Sequence, residues 1–338
     1  MPTGYVVTQG ASLRVVSRSL LVEKDDQLLD EIELEHLERL VLIGRQNLTL
    51  PAIAGLLKAG IPVALLTTRG AFRGWITGPL APLLPVRIGQ HELWSGDARA
   101  CAARRIVRSK IEAMIKVLQG YRSNYPELDL RAMIDDLASR HCAAERADSV
   151  ASLLGIEGAA ARTYWSAFGT LNRSPFLFKG RNRRPPRDPI NAALGFGYSI
   201  LTAEARSAVE AAGCDPYLGF YHAPWRGRPS LALDVMEPLR HQIIDRLVLR
   251  LINTKVLRSV HFRDSGERGV YFNKKGVVEF LKAYEIVMRE TGRRELHQRA
   301  ERLATYFRSL AAAVLPKSDD VAAPAEDPPR GETHGHAA

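Results

Sequence analysis

Near residue 96 the spacing of the apolar side chains changes, and no other feature of the sequence constrains the fold as strongly. Before that point, "YVVTQG" (5–10), "SLRVVSRSLLVEK" (12–24) and "LERLVLIG" (37–44) are rich in Val, Leu and Ile, alternate in part and stop at Gly or acidic breaks. This is the pattern of strands. A short helix over roughly Leu50 to Ala59 precedes the buried-looking strand "IPVALL", and "TTRGAFRGWITG" is expected to turn on Gly70 and Gly74. After "LWSGDA" the period becomes helical: Val107, Ile111, Met114, Ile115 and Leu118 recur at three- and four-residue steps, with Arg104, Arg105, Arg108 and Lys110 interleaved as a basic face. Further helices are expected near Leu128 to Arg146, Gly158 to Leu171, Ile190 to Ala212, Pro238 to Asn253, Lys275 to Glu290 and Glu295 to Val314. The pattern predicts an α+β multidomain chain, with a mostly β N-terminal domain over 1–96 and a larger all-α domain over 97–316.

Charge narrows the partner. The 338 residues carry 47 Lys and Arg against 37 Asp and Glu, a formal +10. Residues 317–338, rich in Pro, Ala and acids, hold two basic and five acidic residues, so 1–316 carry +13. Without periodicity or large apolar residues this tail is expected to be disordered, its His334 and His336 solvated. A polyanion is favoured over a small neutral ligand, nucleic acid ahead of an anionic membrane surface. The three cysteines, Cys101, Cys142 and Cys214, form no C-x-x-C pair; they are expected to be small apolar residues rather than a disulfide or zinc framework. No charged start leads into a hydrophobic run, and no stretch of about eighteen apolar residues occurs, so a cytoplasmic location away from membranes is expected.

Two stretches concentrate chemistry. In "KGRNRRPPRDP" (179–189), Lys179, Arg181, Arg183, Arg184 and Arg187 face a single acid, Asp188, while the prolines keep the chain extended and its guanidinium groups open to phosphates. "GFYHAPWRGRPSLALDVMEP" (219–238) sets His222, Asp234 and Glu237 around Arg226 and Arg228. Asp234 and Glu237 read either as a capping box at a helix start or, at i and i+3, as two carboxylates facing one space. Pro238 disfavours a cap at Asp234 and favours a helix start near Glu237. An oxygen-rich site suits Mg²⁺ or Mn²⁺, and an added imidazole tilts it toward Mn²⁺. Helix spacing offers His241, at i+4 from Glu237, ahead of His222. Glu157, between Gly155 and Gly158, is either a helix-start acid or a third carboxylate approached closely by a ligand or backbone.

Taken in order, "LLVEK", "IGRQNLTLPAIAGLLKAGIPVALL", "GIEGAAARTYW", "RPPRDPINAALGFGYSILTAE", "GFYH" and "LALDVMEPLR" resemble the CRISPR-associated spacer integrase and endonuclease, the Cas-one family, over nearly the whole chain to about residue 316. The resemblance implies that Glu157, His222 and Glu237 ligate a divalent metal, Mg²⁺ or Mn²⁺, with Asp234 as a supporting catalytic carboxylate. It selects His222 over His241, which stands where family members commonly place proline after an arginine, here Arg240. It further implies a catalytic helical domain, a homodimer formed through the β domain, assembly with the small Cas-two protein, and insertion of short double-stranded DNA into a CRISPR repeat array by attack of a 3′-hydroxyl. From charge, Arg104, Arg105, Arg108, Arg181, Arg183, Arg184, Arg187, Arg226 and Arg228 are expected to contact DNA. The rival expectations are a stand-alone metal-dependent repair nuclease and a non-catalytic DNA-binding scaffold.

Overall fold

The computed structural model describes residues 3–78, 83–96 and 98–315. The tail expected over 317–338 lies outside the described residues. The N-terminal region comprises β1 (Thr3–Val6), β2 (Ser12–Val16), β3 (Ser19–Lys24), β4 (Gln27–Glu33), β5 (Arg39–Ile43), β6 (Asn47–Leu48), α1 (Leu50–Lys58), β7 (Val63–Leu66) and β8 (Phe72–Ile76). One sheet has the order β4-β3-β2-β6; the other has the order β1-β5-β7-β8, with β1, β5 and β7 parallel and β8 antiparallel to β7. Thr49 caps α1 by accepting from the Ala52 N–H, and a proline in the first turn needs no donor. Gly70, at φ +79°, makes the turn into β8, whereas Gly74 lies within that strand opposite Leu65, where the register shifts.

β5 is buried along its whole length, and strand alternation divides it between two cores. Leu40 and Leu42 pack with Leu13, Leu20 and Leu56 between the sheets; Val41 and Ile43, with Ala64 and Leu66, face the helices. A strand covered on both faces reads as an unbroken apolar run, which "LVLI" is.

The helical region contains α2 (Leu84–Ser95), α3 (Ala98–Asn124), α4 (Arg131–Glu145), α5 (Val150–Thr170), α6 (Pro189–Ala211), α7 (Ser230–Leu239), α8 (Arg246–Asn253), a hairpin of β9 (Phe262–Asp264) and β10 (Val270–Phe272), then α9 (Lys274–Val287) and α10 (Arg293–Ala311). The whole is the α+β arrangement expected, strands first and helices after. Helix α2 lies in a stretch read as part of the β region, and it packs on α10. At Gly89 an added Cβ would come 1.8 Å from the Phe307 carbonyl oxygen, so only glycine permits that contact. Two expected helix starts shift. α5 begins at Val150, capped by Ser149, which leaves Glu157 two turns inside the helix rather than at its start. α7 begins at Ser230, so Pro238 lies inside a helix that continues through π-helical turns over Arg240–Asp245 into α8.

A buried ion network joins the two regions. Arg39 of β5 pairs with Glu204 of α6, and Arg293 of α10 reaches Glu204 at 3.0 Å and Glu285 of α9 at 2.7 Å. Cys214 is buried, which pushes its thiol up to about 12, but Cys101 and Cys142 are exposed, contrary to the expectation for small apolar residues. Among the described residues no helix is long and apolar enough to cross a membrane.

Candidate active site

Asp234 and Glu237 sit one turn apart on α7, 3% and 1% exposed. Neither caps the helix, whose N-terminal residue Pro229 makes no side-chain cap. The Asp234 carboxylate instead gathers the loop before it: one oxygen accepts from the Phe220 and Tyr221 N–H groups at 2.6 and 3.1 Å, the other from the His222 N–H at 3.0 Å and lies 2.7 Å from His222 Nδ1. Gly219 lets this loop come so near, since a Cβ there would lie 2.6 Å from the Ser230 carbonyl carbon. A carboxylate can only accept, so Nδ1 carries a proton, and in the neutral ring Nε2 presents its lone pair. Nε2 lies 3.6 Å from Glu237 Oε1.

Glu157 arrives from α5, and Lys110 of α3 joins it to Glu237. The Lys110 ammonium is 2.7 Å from Glu157 Oε1 and 2.9 Å from Glu237 Oε2. Both contacts are short ion pairs between a buried ammonium and a carboxylate oxygen. Arg240 approaches Glu237 Oε1 at 3.3 Å. Burial opposes the charge on Glu237, but Arg240, Lys110 and His222 outweigh it and hold the carboxyl well below its usual range. Burial, with the carboxylates of Glu157, Glu237 and Asp234, pushes the Tyr221 phenol far up. Beside Glu157, a Cβ added to Gly155 or Gly158 would meet no atom within 4 Å. Those glycines therefore border open space and pack against no other backbone.

Helix spacing pointed to His241, and the structure separates it from this group. Its Nδ1 is 2.7 Å from Asp245 Oδ2, which also accepts from the Tyr164 hydroxyl at 2.8 Å, while Tyr198 donates to the other oxygen. The ring stands edge-on to Tyr164 at 4.6 Å. An i+4 relation aims two side chains the same way only in a regular α-helix, and the π-helical turns that begin at Arg240 change the angular step.

The basic candidates divide by surroundings. Arg183, Arg184, Arg187, Arg105 and Arg226 are exposed, and Arg228 is half-buried. Arg181 is not the open group expected: its guanidinium donates to Asn191 Oδ1 at 2.7 Å and lies over the rings of Trp165 and Tyr198. Arg240 lies over the same Tyr198 ring, which places the root of the basic loop against the neighbour of Glu237. Arg108 and Arg104 reach Glu145 of α4, at its carboxylate and its carbonyl oxygen respectively. Lys110, Arg240 and Tyr221 were not singled out from the sequence as site residues. For Lys110 a signal existed: it falls within the apolar stripe of Val107, Ile111 and Met114, where a lysine needs buried partners.

The residues fit a divalent cation. Two carboxylates and an imidazole oriented through Nδ1 by a third carboxylate are a donor set for Mg²⁺ or Mn²⁺, and an ammonium already stands between the carboxylates as a positive stand-in. With that ammonium in place, Glu157, His222 and Glu237 do not close into a tight cluster. Among the described residues the group with three ligand atoms within 4.8 Å of one another is the exposed Glu33, Glu35 and His36.

Helices α5 and α7, with the loop before α7, thus define a two-carboxylate, one-histidine centre in a helical domain that follows a strand-rich one. The family model described as "CRISPR associated protein Cas1" matches residues 4–286, and the chain belongs to that family. It is 36% identical over 276 residues to the CRISPR-associated endonuclease Cas1 2 of Rhodospirillum rubrum, covering 77% of this chain and 78% of the relative. It is 38% identical over 272 residues to a CRISPR-associated exonuclease Cas4/endonuclease Cas1 fusion of Geobacter sulfurreducens, covering 76% of this chain and 48% of that one. Among solved structures, a CAS1 protein from Thermotoga maritima superposes with a TM-score of 0.81 at 26% identity, covering 91% of this chain and 97% of the other. A Cas6-RT-Cas1–Cas2 complex aligns with a TM-score of 0.76 at 26% identity, over 92% of this chain and 35% of that one. A casposase bound to integration product shares the fold, with a TM-score of 0.82 at 23% identity over 91% of each chain.

Proposed function

We propose that the protein is a metal-dependent DNA endonuclease and integrase of CRISPR adaptation, which inserts short duplexes into the repeat array. The observation that carries this reading is the convergence of Glu157 and Glu237 on one cation, with the oriented imidazole of His222 beside them. Glu157, His222 and Glu237 would hold Mg²⁺ or Mn²⁺, which supplies positive charge to the non-bridging phosphate oxygens and acidifies an attacking hydroxyl or water. Asp234 fixes the His222 tautomer and the 219–222 loop. Arg240 keeps Glu237 ionised at any physiological pH.

In the reaction a 3′-hydroxyl oxygen forms a bond to phosphorus, the bond to another 3′-oxygen breaks, and the proton lost by the first is regained by the second. Bonds of one type are exchanged, so the reverse reaction proceeds at the same site, and water in place of the hydroxyl gives hydrolysis. Arg183, Arg184 and Arg187, which are exposed, would track the backbone, and Arg226 and Arg228, a few residues beyond His222, would steer the strand towards the site. Assembly with Cas2 is inferred from relatives solved in Cas1–Cas2 complexes. A homodimer is inferred for the β region, where edge strand β4 exposes Leu28 and Leu29. The test is Glu157→Ala: strand transfer of a 3′-hydroxyl duplex into a repeat-containing target is abolished while duplex affinity persists. Transfer that survives the change removes the catalytic reading and leaves a DNA-binding scaffold.

A further inference from the structure

The one buried lysine at the centre has no part in ligating a metal, yet it occupies the middle of the site. Its side chain is 7% exposed and projects from the apolar stripe of α3. Burying an ammonium is costly unless it is paired, and its pairing here is with Glu157 and Glu237, both proposed ligands. The two carboxylates come from α5 and α7, elements that meet only through tertiary packing, so without a cation between them like charges would face each other in a poorly solvated space. Arg240 cannot fill this role, because its contact is with Glu237. Lysine also differs from arginine in being a compact charge on a flexible stem, which can withdraw without breaking a fixed bidentate geometry.

We propose that Lys110 is a resident cation at the metal position, a positioning residue that keeps Glu157 and Glu237 assembled before the ion arrives and competes with the ion for their oxygens. The inference rests on the metal-site reading above. Ion binding then requires the ammonium to leave the carboxylates, and the site exchanges one positive charge for two. The displaced ammonium stays on its tether nearby, so the charge available to an incoming phosphate rises once the ion is in place.

Full-length metal-free protein titrated with Mn²⁺, followed by the electron paramagnetic resonance signal of the free ion, tests the exchange without reference to catalysis. Lys110→Met is expected to bind Mn²⁺ about tenfold or more tightly than wild type, because no ammonium must be displaced, while its metal-free melting temperature falls by roughly 5 °C or more and recovers with Mn²⁺ by more than wild type gains. Lys116→Met, which removes an exposed lysine paired with Glu112, leaves both quantities unchanged. Should Lys110→Met be too unstable to titrate, the double variant Lys110→Met/Glu157→Gln decides: removal of one carboxylate restores metal-free stability if like-charge repulsion was the cause, and strict additivity of the two losses overturns the proposal. Mn²⁺ affinity in Lys110→Met equal to or weaker than wild type also overturns it. If wild type binds no Mn²⁺, and His222→Ala and Glu157→Gln change nothing, the metal-site reading itself fails and Lys110 is a structural ion-pair partner.

Discussion

Asp234→Asn is the substitution that most directly tests how the centre is built. The carboxylate is 3% exposed and takes four contacts on two oxygens: the Phe220 and Tyr221 N–H groups on one, the His222 N–H and Nδ1 on the other. An asparagine has one acceptor oxygen and one NH₂. In one orientation the NH₂ confronts two backbone donors and expels the 219–222 loop. In the other it confronts the His222 N–H and donates to Nδ1, which moves the imidazole proton to Nε2 and points it at Glu237. In the first orientation two hydrogen bonds to a charged group are lost, at about 1.5–3 kcal/mol each, and in the second the His222 N–H bond is lost while the Nδ1 contact is reversed and both remaining bonds go to a neutral oxygen. The sum, about 3–6 kcal/mol, should lower the melting temperature by roughly 5–15 °C. The separate consequence is functional. A misdirected imidazole should weaken Mn²⁺ binding by about 10–100-fold, and strand transfer should fall at least as far. Both are measured well below the variant's melting temperature, where circular dichroism shows it folded. Wild-type Mn²⁺ affinity and transfer rate in folded Asp234→Asn would refute the reasoning and leave Asp234 as a loop clamp.

The two histidines should respond in opposite ways. His222→Ala removes activity in Mg²⁺ and Mn²⁺ alike with little loss of stability. His241→Ala keeps at least partial activity but costs about 2–3 kcal/mol in urea unfolding, because it strips Asp245 of a buried partner. Neutralising Arg183 and Arg184 together should weaken binding across DNA sequences and flatten the log–log salt dependence by up to about 1.8, at 0.9 per phosphate contact; an unchanged slope excludes the loop as a phosphate tracker. Glu237 provides a pH test. Its carboxyl is held below the ordinary value of 4.5, so the unfolded chain takes up that proton first. The stability it contributes is complete above about pH 5 and is lost as pH falls through 4.5 and below. Urea unfolding between pH 3 and 6 should show a shallower acid limb for Glu237→Gln.

Much of the fold was legible because periodicity is local. The apolar steps of α3, the short helix after residue 49 and the apolar run of β5 each reflect a few neighbouring residues. Helix α2 was not, because its proline and glycine look like breakers until Gly89 is seen against Phe307. The start of α5 was placed late because Gly155 and Gly158 resemble a boundary, whereas Ser149 does the capping. The centre was less legible still. Glu157, His222 and Glu237 meet through the packing of three elements, which no spacing encodes, and the family resemblance rather than periodicity chose His222. Spacing favoured His241, and the π-helical turns after Leu239 explain why it failed. Charge alone groups Lys110 with the basic face of α3, although its place among Val107, Ile111 and Met114 marks it as interior.

The double allegiance of β5 bears on how the molecule can be cut. A fragment ending near residue 96 would retain Leu40 and Leu42 in their shelter but bare Val41, Ile43, Ala64 and Leu66 to water, and would strand the Arg39 guanidinium without Glu204. Such a piece should clump or recruit a substitute lid rather than persist alone. Expressed as separate chains, the halves are therefore better made together than apart.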